Sequence, residues 1–94
     1  MYKSTVETIA GDTLIFTWVN SGTTPSSILA LLFTGSETLA HSVDMTSSGN
    51  GHYFANVPIP DSYDAYYAAE TRAVIDGFTY KRRMKVHAEL MQVD

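Results

Sequence analysis

Residues 65–86 decide the fold of this chain, and they read AYYAAETRAVIDGFTYKRRMKV. Asp76-Gly77 is a strong signal for a two-residue β-hairpin turn, because both positions of that turn need a positive φ angle. The flanking residues alternate with a period of two, which predicts strands over Ala65–Ile75 and Phe78–Val93. The sequence therefore predicts a long antiparallel hairpin near the end of the chain.

A two-residue loop also fixes which residues of the hairpin lie opposite one another. One face should enter the core and pairs Ile75 with Phe78, Ala73 with Tyr80, Ala69 with Met84, and Tyr67 with Val86. The other face should lie outside and pairs Glu70 with Arg83, Ala68 with Lys85, and Tyr66 with His87. One register thus satisfies both faces. Two positions fit less well: Arg72 meets Lys81, and Arg82 falls on the core face, so its head must reach an edge or a carboxylate.

Working outward from the hairpin, the same alternation predicts five more strands, and no apolar stripe at helical spacing is visible. Their approximate bounds are Lys3–Ile9, Leu14–Val19, Ser27–Thr34, Thr38–Met45 and His52–Ile59. About seven short strands at spacings of roughly 8 to 12 residues are typical of a two-sheet β-sandwich. The pattern predicts one all-β domain over residues 1–94.

The composition excludes several functional classes. The chain has no cysteine, so it has no disulfide, zinc knuckle or thiol nucleophile. Its net charge of -4 argues against a nucleic-acid partner, although five of the six basic residues lie after residue 71. The N-terminus lacks the apolar stretch of a secretory signal, and the longest apolar run is Ile28–Phe33, far too short to span a membrane. We therefore expect no signal peptide and no membrane partner.

Catalytic and metal-binding motifs are absent from the sequence. No nucleophile elbow, zinc-protease motif, phosphate loop or dinucleotide fingerprint is found. His41, His52 and His87 lie on three different predicted strands at no ligand spacing, and Asp61–Asp64 fits a proline-flanked turn better than a calcium site. We expect no catalytic residue, no metal, no cofactor and no enzymatic activity.

Several stretches together resemble a known class of domain. They read GDTLIFTW at 11–18, GNGHY at 49–53 and IPDS at 59–62, followed by the strand Tyr67–Ala73 and the Asp76-Gly77 turn. This set resembles the immunoglobulin-like modules of bacteriophage and prophage virion proteins. The resemblance implies a Greek-key immunoglobulin-like sandwich, attachment within the head-to-tail or tail machinery, and a location in the virion or the host cytoplasm. The chain differs from antibody domains in lacking a cysteine pair and in carrying Trp18 on the second predicted strand.

The most informative stretch for function is Ile28–Phe33, because both of its alternating sets are apolar. A two-residue loop at Gly35-Ser36 predicts that Ile28, Ala30 and Leu32 meet Val43, His41 and Leu39. It leaves Leu29, Leu31 and Phe33 on the outer face, opposite Ser42, Ala40 and Thr38. An immunoglobulin-like topology places the outward-facing Tyr66 beside this set.

The sequence thus predicts a partner surface on the outer sheet face, since exposed apolar patches usually mark partner surfaces. Its residues are Leu29, Leu31, Phe33 and Tyr66, with Lys81, Arg83 and Lys85 projecting from alternate positions of the last strand. Two simpler explanations stay open: loops or the C-terminal residues cover the apolar set, and the basic residues are ordinary solvated charge.

The sequence predicts a non-catalytic protein-interaction module, and the resemblance implies that it is a phage or prophage virion structural or accessory protein. It would bind a protein partner or a second copy of itself through an outer sheet face. Two other functions stay open: a cell-surface adhesive or carbohydrate-binding module, and a small inhibitor of a host enzyme.

Overall fold

The computed structural model describes residues 5–60 and 65–89, and this part of the chain is a two-sheet β-sandwich. Its eight strands are β1 (Thr5–Ile9), β2 (Thr13–Val19), β3 (Ser27–Thr34), β4 (Leu39–Asp44), β5 (Thr46–Gly49), β6 (His52–Pro58), β7 (Ala65–Ile75) and β8 (Phe78–Glu89). One sheet has the order β1-β8-β7-β3-β4 and the other the order β2-β6-β5. The described residues include no helix long and apolar enough to cross a membrane.

The β7–β8 hairpin confirms the predicted register. Asp76 and Gly77 have φ angles of 52° and 82°, as the two-residue turn requires. Every predicted pair is present, from Ile75 opposite Phe78 to Tyr66 opposite His87. The turn and the alternation were enough to place these strands, because the interactions involved are local in sequence.

The first strand adds a parallel pair to an otherwise antiparallel sandwich. β1 runs alongside the second half of β8, with Thr5 opposite Lys85 and Ile9 opposite Glu89. The predicted first and last strands extended over residues 3–4 and 90–93, which lie outside the described residues.

The predicted strand Thr38–Met45 is interrupted where the chain changes sheets, which gives eight strands instead of seven. Met45 is buried and its N–H donates to the carbonyl of Ile28 at 3.0 Å. The following residues form β5 on the edge of β6, although the sequence predicted no strand between Met45 and His52. Backbone pairing with β6 stabilises this short strand, and a serine- and glycine-rich sequence gives no side-chain signal for it.

The β3–β4 connection is longer than the predicted two-residue loop, so the register is displaced. Ala30 lies opposite Val43, and a bulge then places Leu39 opposite Phe33 on the outer face. Thr34 donates its N–H to the carbonyl of Thr38 at 2.8 Å, and Glu37 has a φ angle of 67°. These contacts close a wider loop than Gly35-Ser36 alone, and they leave Leu39 51% exposed.

The core lies between the sheets and contains the predicted inner set of β3, which is Ile28, Ala30 and Leu32. Tyr67 and Val86 are buried as predicted, and Trp18 is partly buried against the core. Three predicted core residues of the hairpin are instead exposed: Phe78, Tyr80 and Met84. They lie on the inner face of β8, between the turn and the stretch that pairs with the described residues of β1.

Candidate functional site

The seven predicted partner residues do lie on one face, the outer face of the five-stranded sheet. Cross-strand rows connect them: Leu29 with Arg72 and Lys81, Leu31 with Glu70 and Arg83, Phe33 with Ala68 and Lys85. Tyr66 is on the same face, opposite His87. Because sheet register alone determines these rows, the sequence prediction of the face was correct.

The exposure predicted for Leu31 was wrong, since the residue is only 4% exposed. It lies on an interior strand of the sheet, with Glu70 of β7 on one side and Ser42 of β4 on the other. Leu29 and Phe33 adjoin it along β3 and are half-buried. A central strand position with neighbours on all four sides shields a leucine even on the outer face, and alternation alone does not report this.

Charged side chains form a network on this face. Glu70 is 3% exposed, and its carboxylate accepts a hydrogen bond from Arg72. Arg72 Nη2 lies 2.5 Å from one carboxylate oxygen, and Arg83 Nη1 lies 3.8 Å from the other. Arg83 also pairs with Glu37 at 2.5 Å, and its guanidinium lies 5.0 Å from the Phe33 ring centroid. The predicted Glu70–Arg83 pair exists, but Arg72 is the nearer partner. The face is therefore a charged network above apolar residues and not an apolar patch.

A cleft of about 520 Å³ opens beside this network. Its lining includes Glu37, Tyr66, Arg83 and Lys85. Tyr66 is 53% exposed, stacks on the His87 ring at 4.5 Å, and has Lys85 Nζ 5.4 Å from its centroid. The cleft thus combines an aromatic ring with side chains of both charges.

His87 also belongs to a carboxylate–imidazole cluster that sequence reasoning did not find. His87 Nδ1 lies 3.0 Å from Glu7 Oε2 and 3.9 Å from Glu89 Oε1. These are ligand types that a divalent cation accepts. Glu89 follows His87 by two positions, so the alternation of the strand would have placed these two side chains on one face. Glu7 lies beside them only because β1 pairs in parallel with β8.

Within the described residues, a sheet face without charged side chains is the outer face of β2, β6 and β5, which we call the three-stranded face. Its residues are Thr13, Ile15, Thr17, Val19, Thr46, His52, Phe54, Asn56 and Pro58. Ile15 is 64% exposed, Val19 63% and Phe54 39%. None of these nine residues is Asp, Glu, Lys or Arg. The signal was present in the sequence, because both alternating sets of β2 contain large apolar residues, as those of β3 do.

Comparison with known proteins supports the fold. No family model and no curated protein matches the chain. Among solved structures it is similar to part of a pullulanase from Bacillus acidopullulyticus, with a TM-score of 0.57 and 16% identity. The match covers 86% of this chain and 10% of that chain. Together with the strand topology, this similarity shows that the chain is an immunoglobulin-like β-sandwich.

Proposed function

We propose that this protein is a non-catalytic interaction domain that assembles with a second copy of itself through the three-stranded face. The observation that carries the proposal is the absence of charge from that face, combined with the exposure of Ile15, Val19 and Phe54. Depletion of charged residues distinguishes the centres of protein interfaces from the rest of a protein surface.

Burial of this face would recover hydrophobic free energy that the isolated domain lacks. Full burial of a large aliphatic or aromatic side chain is worth roughly 1.5 to 3 kcal/mol, and Ile15 and Val19 are both more than half exposed. Each copy carries a net charge of -4. A face without charges lets two such copies meet without placing like charges in contact.

The biological setting that we propose is a phage or prophage virion, as a structural or accessory subunit. The support is the resemblance of the turn and strand motifs to immunoglobulin-like virion modules. Self-association through a sheet face suits a subunit that is repeated in an assembly. Mass spectrometry of purified particles should find the chain in fixed stoichiometry, and its absence from particles would refute the virion setting alone.

The self-association proposal is tested by sedimentation velocity over a range of protein concentrations. The wild type should show a concentration-dependent dimer, and Ile15→Lys combined with Val19→Lys should abolish it. Leu39→Lys is the matched control, because Leu39 is 51% exposed but lies on the other sheet. A wild type that stays monomeric at millimolar concentration refutes the proposal, as does equal loss of dimer in the control.

Carbohydrate binding is a second candidate, and the cleft beside Tyr66 favours it. An exposed aromatic ring next to hydrogen-bonding side chains is a usual arrangement for binding a sugar ring, and Glu37, Arg83 and Lys85 supply those groups. The structural similarity to part of a pullulanase makes pullulan a suitable probe. Pullulan in an affinity gel should retard the wild type and not Tyr66→Ala. Tyr80→Ala, which changes another half-exposed tyrosine, is the control, and unretarded wild type excludes pullulan binding.

A further inference from the structure

A polar cleft lies between loops at the end of the sandwich where β2 ends and β6 begins. It measures about 530 Å³, within the range of roughly 300 to 1,000 Å³ that is usual for small-molecule sites. Residues 20–26 join β2 to β3 and residues 50–51 join β5 to β6, and both connections border it. We call it the loop cleft, and the described residues that line it are Asn20, Ser21, Gly22, Thr24, Ser47, Asn50, Gly51 and Tyr53.

The loop cleft is separate from the surfaces described above. None of its eight lining residues belongs to the three-stranded face or lines the cleft beside Tyr66. All eight lie within the stretch 5–60, which the structure describes without a gap. Pro60, Ala65 and Glu89 border undescribed residues, and all three lie at the opposite end of the sandwich.

Backbone contacts between the loops fix the shape of the loop cleft. Asn20 donates its N–H to the carbonyl of Gly51 at 2.7 Å. Gly51 has a φ angle of 78°, and a Cβ at this position would collide with the Asn20 carbonyl. Glycine permits this close approach of two backbones. The two walls of the cleft are therefore held together by the chain itself, and preorganisation of this kind lowers the cost of binding a ligand.

Side-chain hydrogen bonds also hold the walls in place. Asn20 donates from Nδ2 to the Thr23 carbonyl at 2.8 Å, and its Oδ1 accepts from Trp18 Nε1 at 3.4 Å. On the other wall, Gly49 donates its N–H to Ser47 Oγ at 3.3 Å. Both polar atoms of the Asn20 side chain are thus engaged, so this residue positions its loop.

Four other lining side chains keep their hydrogen-bonding groups available. Within the described residues, no hydrogen bond is made by the side chains of Ser21, Thr24, Asn50 and Tyr53. They offer three hydroxyls and one amide, and each of these groups both donates and accepts. Tyr53 is half-buried against the core and adds an aromatic ring to the lining. A ligand with several hydroxyl groups would find partners for them here.

The absence of charge selects the class of ligand. None of the eight lining residues is Asp, Glu, Lys, Arg or His. A charged group of a ligand would lose hydration in this cleft without gaining an ionic partner, which is costly. The eight residues include no large aliphatic side chain either, so an apolar ligand would gain little from burial. Uncharged hydroxyl and amide groups beside an aromatic ring suit a neutral sugar.

We propose that the loop cleft binds a neutral saccharide. The sugar hydroxyls exchange hydrogen bonds with Ser21, Thr24 and Asn50, and one sugar ring packs against Tyr53. This site lies among the loops at one end of the sandwich, whereas the cleft beside Tyr66 is charged and lies on a sheet face. The inference depends neither on self-association through the three-stranded face nor on sugar binding beside Tyr66.

An NMR titration of the full chain with trisaccharides tests the proposal. The probes are maltotriose and cellotriose, which are neutral, and the matched charged control is trigalacturonate. At least one neutral probe should shift the backbone amides of residues 20–24 and 47–53 at millimolar concentration, with smaller shifts at Tyr66 and Lys85. Trigalacturonate should bind at least about tenfold more weakly, because its carboxylates meet no cation in the loop cleft.

Two pairs of variants assign the binding to this cleft. Thr24→Val removes a lining hydroxyl and should weaken binding by about two- to tenfold, as expected for one hydrogen bond. Thr23→Val, which changes the neighbouring residue outside the lining, should bind as the wild type does. Asn50→Gly removes the amide and keeps the φ angle of 56°, which glycine adopts freely, so binding should weaken by a similar factor. Asn56→Ala, which removes an exposed amide from the three-stranded face, should have no effect.

Four results would overturn the inference. One is the absence of amide shifts with both neutral probes at tens of millimolar. Another is binding of trigalacturonate that is as tight as binding of the neutral probes. A third is equal affinity of Thr24→Val and Thr23→Val. The last is a set of shifts centred on Tyr66 and Lys85, which would assign sugar binding to the other cleft.

Discussion

Leu31→Ala tests whether the outer face of the five-stranded sheet is covered or available. Leu31 is 4% exposed on β3, an interior strand of the sheet, so almost the whole side chain leaves water on folding. Truncating a buried leucine to alanine costs about 2 to 5 kcal/mol, which includes the cavity left behind. We place Leu31 near the lower end, about 2 to 3 kcal/mol, because the residue lies on an outer face whose neighbours can move inward.

Urea denaturation followed by Trp18 fluorescence measures this cost. A domain of 94 residues has a total stability of about 5 to 14 kcal/mol, so the loss should be obvious as a shift of the midpoint at unchanged slope. Leu39→Ala is the matched control, since Leu39 is 51% exposed and should lose well under 1 kcal/mol. If Leu31→Ala costs no more than Leu39→Ala, Leu31 is exposed, and the original prediction of an apolar partner surface regains its support.

Three further predictions concern local features. Gly51→Ala should destabilise the domain far more than Gly77→Ala. Both glycines have positive φ angles, but a Cβ at Gly51 would lie 2.0 Å from the Asn20 carbonyl oxygen, whereas the space around Gly77 is open. Chemical denaturation compares the two variants, and equal losses of stability would refute the steric argument. Arg72→Met should cost about 1 to 3 kcal/mol in the same assay, and more than Arg83→Met, because Arg72 is the nearer partner of the buried Glu70 carboxylate. The carboxylate–imidazole cluster should retain less than one equivalent of zinc after purification without chelator, because it offers only three protein ligands, two of them largely exposed; one full equivalent by elemental analysis would contradict this.

The hairpin and the face assignments could be predicted from sequence because each depends on local rules. Asp76-Gly77 admits one tight turn, and that turn then fixes every pair of β7 and β8. At the β3–β4 connection the same reasoning failed, since Gly35-Ser36 allows a longer loop that hydrogen bonds of Thr34 close. A pairing register that is displaced by two residues keeps each side chain on its predicted sheet face. The predicted outer placement of Leu29 and Leu31 was therefore correct, although the predicted register was wrong.

Exposure could not be predicted because it depends on distant parts of the chain. Leu31 and Phe78 are both apolar residues in predicted strands, yet the first is buried on the outer face and the second is exposed on the inner face. Their environments depend on which other parts of the chain pack beside them and over them. Alternation identifies which residues share a face, whereas the extent of the neighbouring strands determines whether that face is covered.

Self-association through the three-stranded face should respond to salt differently from an association between charged surfaces, because that face lacks charged residues. Screening shortens the reach of electrostatic interactions from about 10 Å at 0.1 M salt to about 3 Å at 1 M. Self-association through Ile15, Val19 and Phe54 should not weaken, since hydrophobic burial does not depend on screening and mutual repulsion between copies of charge -4 diminishes. Sedimentation velocity in one salt series tests this without mutation. A self-association that weakens as salt rises would place the copies on a charged surface and refute the assignment to the three-stranded face.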